Sequence, residues 1–463
     1  MKKKFILLLV FNFSLLIAPV FAEYSKLNIP DSADIRQQLV EPWFEASYEE
    51  ITFKHPEFLS NDGGQKFKVF LEEDDSSYHV FVAAGKLMNV NVLSGEGFTK
   101  AEQYVYPGNL PGTWVLIKDK KTNKPIRIRY FFASDSDVYV QFSPNGKTAL
   151  ADLVIFGNYA AKGVSTGVPF STFYTASIDD VIKLTQRSLP WKYVLINPAL
   201  YNGVISMSSK IQSSLSNIVY AEDAIYNEKG ELVQLTDGKE FAAGADSDEN
   251  GKLYLSSQGF VKWIADGIVY PLSGSYLKRE PLVEYTTDFK DIGYQGVLSQ
   301  KYSLYLSLDW VRNLASAVVS VYTGREYRYF NSGVDVTLNP FAASVLTYDD
   351  GDPRRGISNT VTFIKDTGYN TKVLKSLLYL LAATEPDTFY FGAIREIDTS
   401  IEPEMKVFNK CVAFLPYFNQ NKEFECSVFI DGRMITLEDF CFIYKNDFVY
   451  LTKVRSSFNF NPY

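Results

Sequence analysis

Histidine is the scarcest chemically useful residue in this chain of 463, with only His55 and His79 present. A serine or cysteine nucleophile needs a neighbouring base, and imidazole is the usual one near neutral pH. Ser257 heads an apolar stretch, Gly259-Phe260-Val261-Lys262-Trp263-Ile264-Ala265, whose spacing predicts an amphipathic helix entered from a strand ending near Leu255. The free N–H groups of a helix start stabilise a thiolate, but an alcohol is too weak an acid to be ionised by them alone. Ser257 therefore reads as a helix N-cap. The competing reading makes it a nucleophile served by an acidic base or by His79, which lies on the strand-like run Ser76-Ser77-Tyr78-His79-Val80-Phe81-Val82.

A second spacing is that of Asp246, Asp248 and Asn250, followed by Gly251: oxygen ligands at alternate positions and a glycine for the turn, as in the opening of a calcium loop. The position that should close such a loop with a bidentate glutamate is Ser257, so an acidic hairpin turn is the simpler reading and no cofactor is expected. The charged stretch 349–356 reads likewise as a solvated loop. Cys411, Cys426 and Cys441 each sit in an apolar run and read as buried free thiols, with a Cys411–Cys426 bridge as the alternative.

From Ser256 to Val261 the chain resembles the start of the nucleophile helix in NlpC-type cell-wall peptidases, papain-like enzymes whose pattern there is Asp-Cys-Ser-Gly-Phe-Val. The family's cysteine falls on Ser257, its aspartate on Ser256 and its serine on Gln258, while Gly259, Phe260 and Val261 match. The resemblance spans at most roughly residues 200–430. It implies an α+β domain in which this helix packs on a C-terminal antiparallel sheet, with a histidine on a strand after the nucleophile. The strand available for it, Val407-Phe408-Asn409-Lys410-Cys411-Val412-Ala413, carries none. The resemblance thus implies a relative without peptidase chemistry, in which a groove beside Phe260 and Trp263 still accepts a peptidoglycan peptide or a segment of an envelope protein.

Lys2, Lys3 and Lys4, an apolar run from Phe5 to Ile17 and the small-x-small end Val20-Phe21-Ala22 read as a signal peptide over residues 1–22, which implies export to the periplasm or the cell surface. Loss of three lysines would take the formal charge from -8 to -11, a surface that repels a phosphate backbone and argues against nucleic acid as a partner. No later apolar run reaches the ~20 residues of a membrane-spanning helix, so the cleaved chain is not expected to be an integral membrane protein.

A hydrophobic fraction of 46% with 15% aromatics predicts an ordered, strand-rich chain with more than one core. Residues 23–162 read as an antiparallel β-sandwich or barrel-like domain, with strands at 67–72, 78–84, 113–118, 125–132, 137–142 and 149–156 joined by short links. Residues 163–463 read as the α+β domain. Helices are predicted at 31–48, from Ser177 to about Arg187, at 201–220 and at 371–384. Terminal strands are predicted at 407–415, 424–430, 440–444 and 448–454.

Overall fold

Strands that alternate apolar and polar side chains and are joined by short turns pair with their sequence neighbours, and this constraint shapes the first half of the molecule. The computed structural model describes residues 29–94, 97–132, 138–242, 251–287, 304–342, 362–400, 402 and 404–461. The expected signal peptide, the Asp246, Asp248 and Asn250 spacing and the 349–356 loop lie outside the described residues. Helix α1 (Ala33–Leu39) runs on through a π-helical turn at Val40–Glu45, where Pro42 offers no N–H to an α-helical ladder. Helix α2 (Tyr48–Thr52) follows a capping box between Ser47 and Glu50.

The strands are then β1 (Glu57–Ser60), β2 (Lys66–Glu73), β3 (Ser77–Ala84), β4 (Lys86–Ser94), β5 (Gly97–Val105), β6 (Trp114–Asp119), β7 (Pro125–Phe131), β8 (Val138–Asn145), β9 (Thr148–Ile155) and β10 (Asn158–Ser165). Eight of them form one antiparallel sheet in the order β1-β2-β3-β6-β7-β8-β9-β10, while β4 and β5 pair only with each other as a hairpin. The end strands β1 and β10 do not pair, so the sheet is open, which corrects the barrel-like expectation. The layer against its apolar face is built from helices and turns where a sandwich would have a second sheet.

That layer includes α1 and the segment after β10. Phe173 stacks on Phe142 with ring centroids 3.7 Å apart, and Trp191 meets Phe132 edge-on at 5.3 Å. Arg36, only 1% exposed, joins these parts: its Nη1 donates to Tyr130 Oη at 3.0 Å and to the Tyr174 carbonyl at 2.8 Å, and its Nη2 donates to the Ala176 carbonyl at 2.8 Å. Helix α3 (Ile178–Thr185) begins where its capping residues predict, with Ser177 Oγ accepting from the Asp180 amide at 3.0 Å.

In the second half, α4 (Asn202–Ser214) stops short of the expected Tyr220, because Ile218–Tyr220 leaves as strand β11. Strands β12 (Ala224–Tyr226) and β13 (Leu232–Gln234) form a hairpin, and β14 (Leu253–Leu255) runs parallel to β11. Two long helices follow, α5 (Ser257–Ser273) and α6 (Leu306–Thr323). The second sheet is built from β15 (Tyr369–Asn370), β16 (Thr388–Asp398), β17 (Met405–Phe418), β18 (Phe424–Ile430), β19 (Arg433–Ile435) and β20 (Phe448–Arg455). It is antiparallel, in the order β15-β20-β16-β17-β18-β19. Helix α7 (Leu374–Thr384) precedes β16, and α8 (Leu437–Ile443) occupies the place of an expected strand. Thr436 Oγ1 accepts from the Asp439 amide at 3.0 Å and starts that helix.

Alternation along β17 separates two cores. Cys411, Ala413 and Leu415 face α5 and α6, whereas Val412 and Phe414 join the core that holds α7 and the apolar face of the first sheet. The first sheet meets α7 directly: Phe156 packs edge-on against Tyr379 at 5.5 Å, and Asn158 Nδ2 donates to Ser376 Oγ at 2.7 Å. The fold is therefore α+β, with two antiparallel sheets around a shared interior.

Replacing Arg36 with alanine removes the donor to the Tyr174 carbonyl and to Tyr130 Oη and one of the two donors to the Ala176 carbonyl, and it empties a fully buried site. Urea unfolding should register a loss of about 3 kcal/mol; a change under about 0.5 kcal/mol, the size of an ordinary surface substitution, would contradict this account of the joint.

Candidate functional site

Helix α5 starts inside the protein, and every residue from Ser257 to Val269 is buried. A buried helix start must satisfy its free N–H groups locally. Ser256 does this as the N-cap, its Oγ accepting from the Gly259 amide at 3.1 Å; the cap thus falls one residue before the expected Ser257. Gly259 allows the first turn to lie on β12, since a Cβ there would stand 2.4 Å from the Ala224 carbonyl oxygen. The same carbonyl accepts from the Ser256 amide at 2.8 Å.

Ser257 occupies the first helical position and is 3% exposed. Its Oγ accepts from the Cys411 amide at 2.8 Å and donates to the Cys411 carbonyl at 3.1 Å, so the hydroxyl is engaged with both backbone groups of one residue of β17. That strand is the one on which the resemblance would place a histidine. Its register shifts beside this point, Lys410 opposing Ile394 and Phe408 opposing Arg395, which leaves Asn409 as a bulge. Gln258 fills the space next to it, its Nε2 donating to the Asn409 carbonyl at 3.0 Å and to Ser307 Oγ at 2.9 Å. Trp310 Nε1 donates to the Gln258 carbonyl at 3.0 Å and so ties α6 to the same point.

The ionisable neighbours are acids, Lys410 and Arg433. Burial raises the Asp431 carboxyl above the usual carboxylate range, against the opposing effects of the Ser257 hydroxyl and the Lys410 cation. Lys410 Nζ lies 3.4 Å from Glu396 Oε1. Asp431 Oδ1 is buried without a hydrogen-bond partner. Burial also pushes the Cys411 thiol well up, so it is no thiolate at neutral pH. All three cysteines are free, and Cys411 and Cys426 pack against different cores.

Phe260 and Trp263 are both fully buried in the core between α5, α6 and the second sheet, with rings stacked 5.9 Å apart. Expected beside a groove, both side chains are instead enclosed, and neither presents a surface to solvent. One turn along lies a buried ion pair that the sequence did not single out: Lys262 Nζ sits 2.6 Å from Asp266 Oδ2. Asp266 Oδ1 also accepts from the Leu277 amide at 2.8 Å. The clue was the i, i+4 spacing of opposite charges, which ordinarily marks a solvated helix face.

His79 lies on β3 of the first sheet and is not brought to Ser257. Its Nε2 is 3.3 Å from Asp74 Oδ2 and 3.2 Å from Ser77 Oγ. Burial, partly offset by the Asp74 carboxylate and reinforced by the Arg129 cation, holds the imidazole below its usual pKa. Among the described residues no group of three or more His, Cys, Asp or Glu is arranged to hold a metal ion. Among those residues no helix is long and apolar enough to cross a membrane.

A family model described as a domain of unknown function (DUF8515) matches residues 25–193, less than half of the chain. The described part of that span holds α1, α2, the first sheet, the β4–β5 hairpin and the segment carrying Phe173, α3 and Trp191 that packs on the sheet. Neither a curated protein nor a solved structure matches the chain.

Two substitutions separate the adjacent serines. Ser256→Ala removes a cap and should cost about 1 kcal/mol in urea unfolding. Ser257→Ala leaves a buried amide and carbonyl unpaired and should cost about 2 kcal/mol or more. The reverse order would place the cap at Ser257. With only two histidines in the chain, proton NMR can follow each imidazole. His79 should titrate below 6.5, so its contribution to stability is present above that pH and is lost as acidification passes through its folded value. Titration above 6.5 would contradict the dominance of burial.

Proposed function

We propose that this chain is an exported envelope protein whose second half descends from an NlpC-type peptidase fold and no longer performs peptide-bond chemistry, so that the protein acts by binding or scaffolding. The observation that carries this reading is the state of Ser257. At the position of the family's nucleophile stands an alcohol whose proton is given to the Cys411 carbonyl and whose lone pair receives the Cys411 amide. A nucleophile must instead pass its proton to a base, and the chain's two histidines both precede Ser257, with His79 held by Asp74 and Ser77 on the other sheet. Phe260 and Trp263 are enclosed, so the binding surface lies elsewhere than beside them. Peptidoglycan peptides or envelope proteins are the partners this ancestry suggests.

One feature favours a second reading, a serine hydrolase with an acidic base. Asp431 sits beside Ser257 with a raised pKa and one oxygen free of hydrogen bonds. A fluorophosphonate probe separates the two. The binding reading expects no adduct on Ser257 by peptide mass spectrometry after prolonged incubation of the full chain. An adduct that disappears in Asp431→Asn would establish the hydrolase instead.

A further inference from the structure

The outer face of the first sheet carries a cation, Arg129, that has no anion paired with it among the described residues. Strand register places Phe70, Phe81, Val115, Arg129, Gln141 and Asp152 in one row across β2, β3, β6, β7, β8 and β9. Arg129 Nε donates to Gln141 Oε1 at 3.3 Å, and Gln141 Nε2 donates to Asp152 Oδ2 at 2.8 Å. An amide therefore stands between the guanidinium and the nearest carboxylate of the row, and among the described residues Arg129 makes no ion pair. Its plane rests on the Tyr139 ring, 4.8 Å from the centroid, which fixes its position while Nη1 and Nη2 keep their hydrogens.

Arg129 lines a cavity of about 270 Å³ whose floor is Phe81 and Phe131 and whose wall is the loop at Gly108 and Asn109, with His79 beside them. Gly108 keeps the cavity open: a Cβ there would stand 2.6 Å from Phe81 Cε1 and force the ring to move. His79 supplies a second polar group. Ser77 Oγ donates to Asp74 Oδ2 at 2.6 Å, so its lone pair faces the His79 Nε2–H, and the neutral ring is left with Nδ1 as an acceptor that has no partner among the described residues.

We propose that this cavity binds the terminal residue of an acylated amino acid or peptide. The free carboxylate would lie on the Arg129 fork, an apolar side chain on Phe81 and Phe131, and the ligand's amide N–H on His79 Nδ1. The groups correspond in kind and number: a planar two-donor cation suits a carboxylate, one apolar floor suits one side chain, and one acceptor suits one N–H. The volume falls just below the range of pockets for drug-sized ligands, which limits the occupant to about one residue. The proposal rests on the chain being a binding protein and stands on the first sheet alone, apart from the chemistry at Ser257.

The test is NMR or calorimetric titration of the full chain with N-acetyl-leucine, N-acetyl-D-alanine and the amide of each. Both acids should bind, and each amide should bind about tenfold or more weakly, because it forfeits the charge-assisted pair. Stronger binding of the D-acid points to a cell-wall stem peptide as the source, and stronger binding of the L-acid to a protein C-terminus. Arg129→Gln should abolish the preference for acid over amide, Arg129→Lys should restore part of it, and Gly108→Ala should weaken both acids by closing the cavity. Thermal melts of the three variants confirm that each is folded. Equal binding of acid and amide, no binding of either acid, or an unchanged preference in folded Arg129→Gln would overturn the proposal. A fluorophosphonate adduct on Ser257 would overturn the non-catalytic reading and leave this pocket in place.

Discussion

The double hydrogen bond between Ser257 and Cys411 is the constraint on which the second half of the molecule depends. A helix start buried in an apolar core brings free amides and a concentrated dipole into a medium that solvates neither, so each donor needs a partner placed by the fold. Ser256 takes one amide, Gly259 brings the first turn within reach of β12, and Ser257 links the helix to β17 at the residue beside the Asn409 bulge. Gln258, Ser307 and Trp310 complete the joint from α6. The result is a helix whose first turns are enclosed by β12, β17 and α6. The same hydroxyl cannot both hold a strand and attack a carbonyl without first giving up the bonds that position it.

The two halves are coupled by packing. The core on the far face of the second sheet runs without a break through α7 to the apolar side of the first sheet, with Phe156 against Tyr379 and Asn158 bonded to Ser376. Val412 and Phe414 thus support the first sheet's interior while Cys411, between them and Asn409 in the chain, holds Ser257. On the first sheet's outer face Arg129 and His79 line a cavity with Phe81 and Phe131 and, among the described residues, keep hydrogen-bonding capacity to spare. The surface proposed for recognition thus belongs to the first sheet, which the second half supports through this shared core.

Legibility in the sequence followed the strength of local patterns. Strands β2, β3, β6, β7, β8 and β9 lie where alternation predicts them, and α3 starts at its capping serine. The hairpin β4–β5 falls outside the predicted strands although Asn89-Val90-Asn91-Val92 alternates, and it pairs only with itself and not with the main sheet. The stretch 440–444 is apolar throughout and reads as a strand, yet Thr436 caps a helix there. At the site, the helix start is legible in the apolar spacing that follows Ser257, and the strand that meets it in the strand-like run Val407–Ala413. What no pattern displays is tertiary. Ser257 and Cys411 are 154 positions apart, the burial of Phe260 and Trp263 depends on α6 covering them, and the Arg129 row emerges only from register across six strands.

The central claim is that the start of α5 is sealed by β17, and hydrogen–deuterium exchange on the intact chain tests it most directly. The Cys411 amide, held by Ser257 Oγ, and the amides of Phe260 to Ala265 should exchange only with global unfolding, in the slowest class of the protein. If the Cys411 amide instead exchanges within seconds while the flanking β17 amides stay protected, the helix start opens in the native state, and the account of a closed joint is wrong.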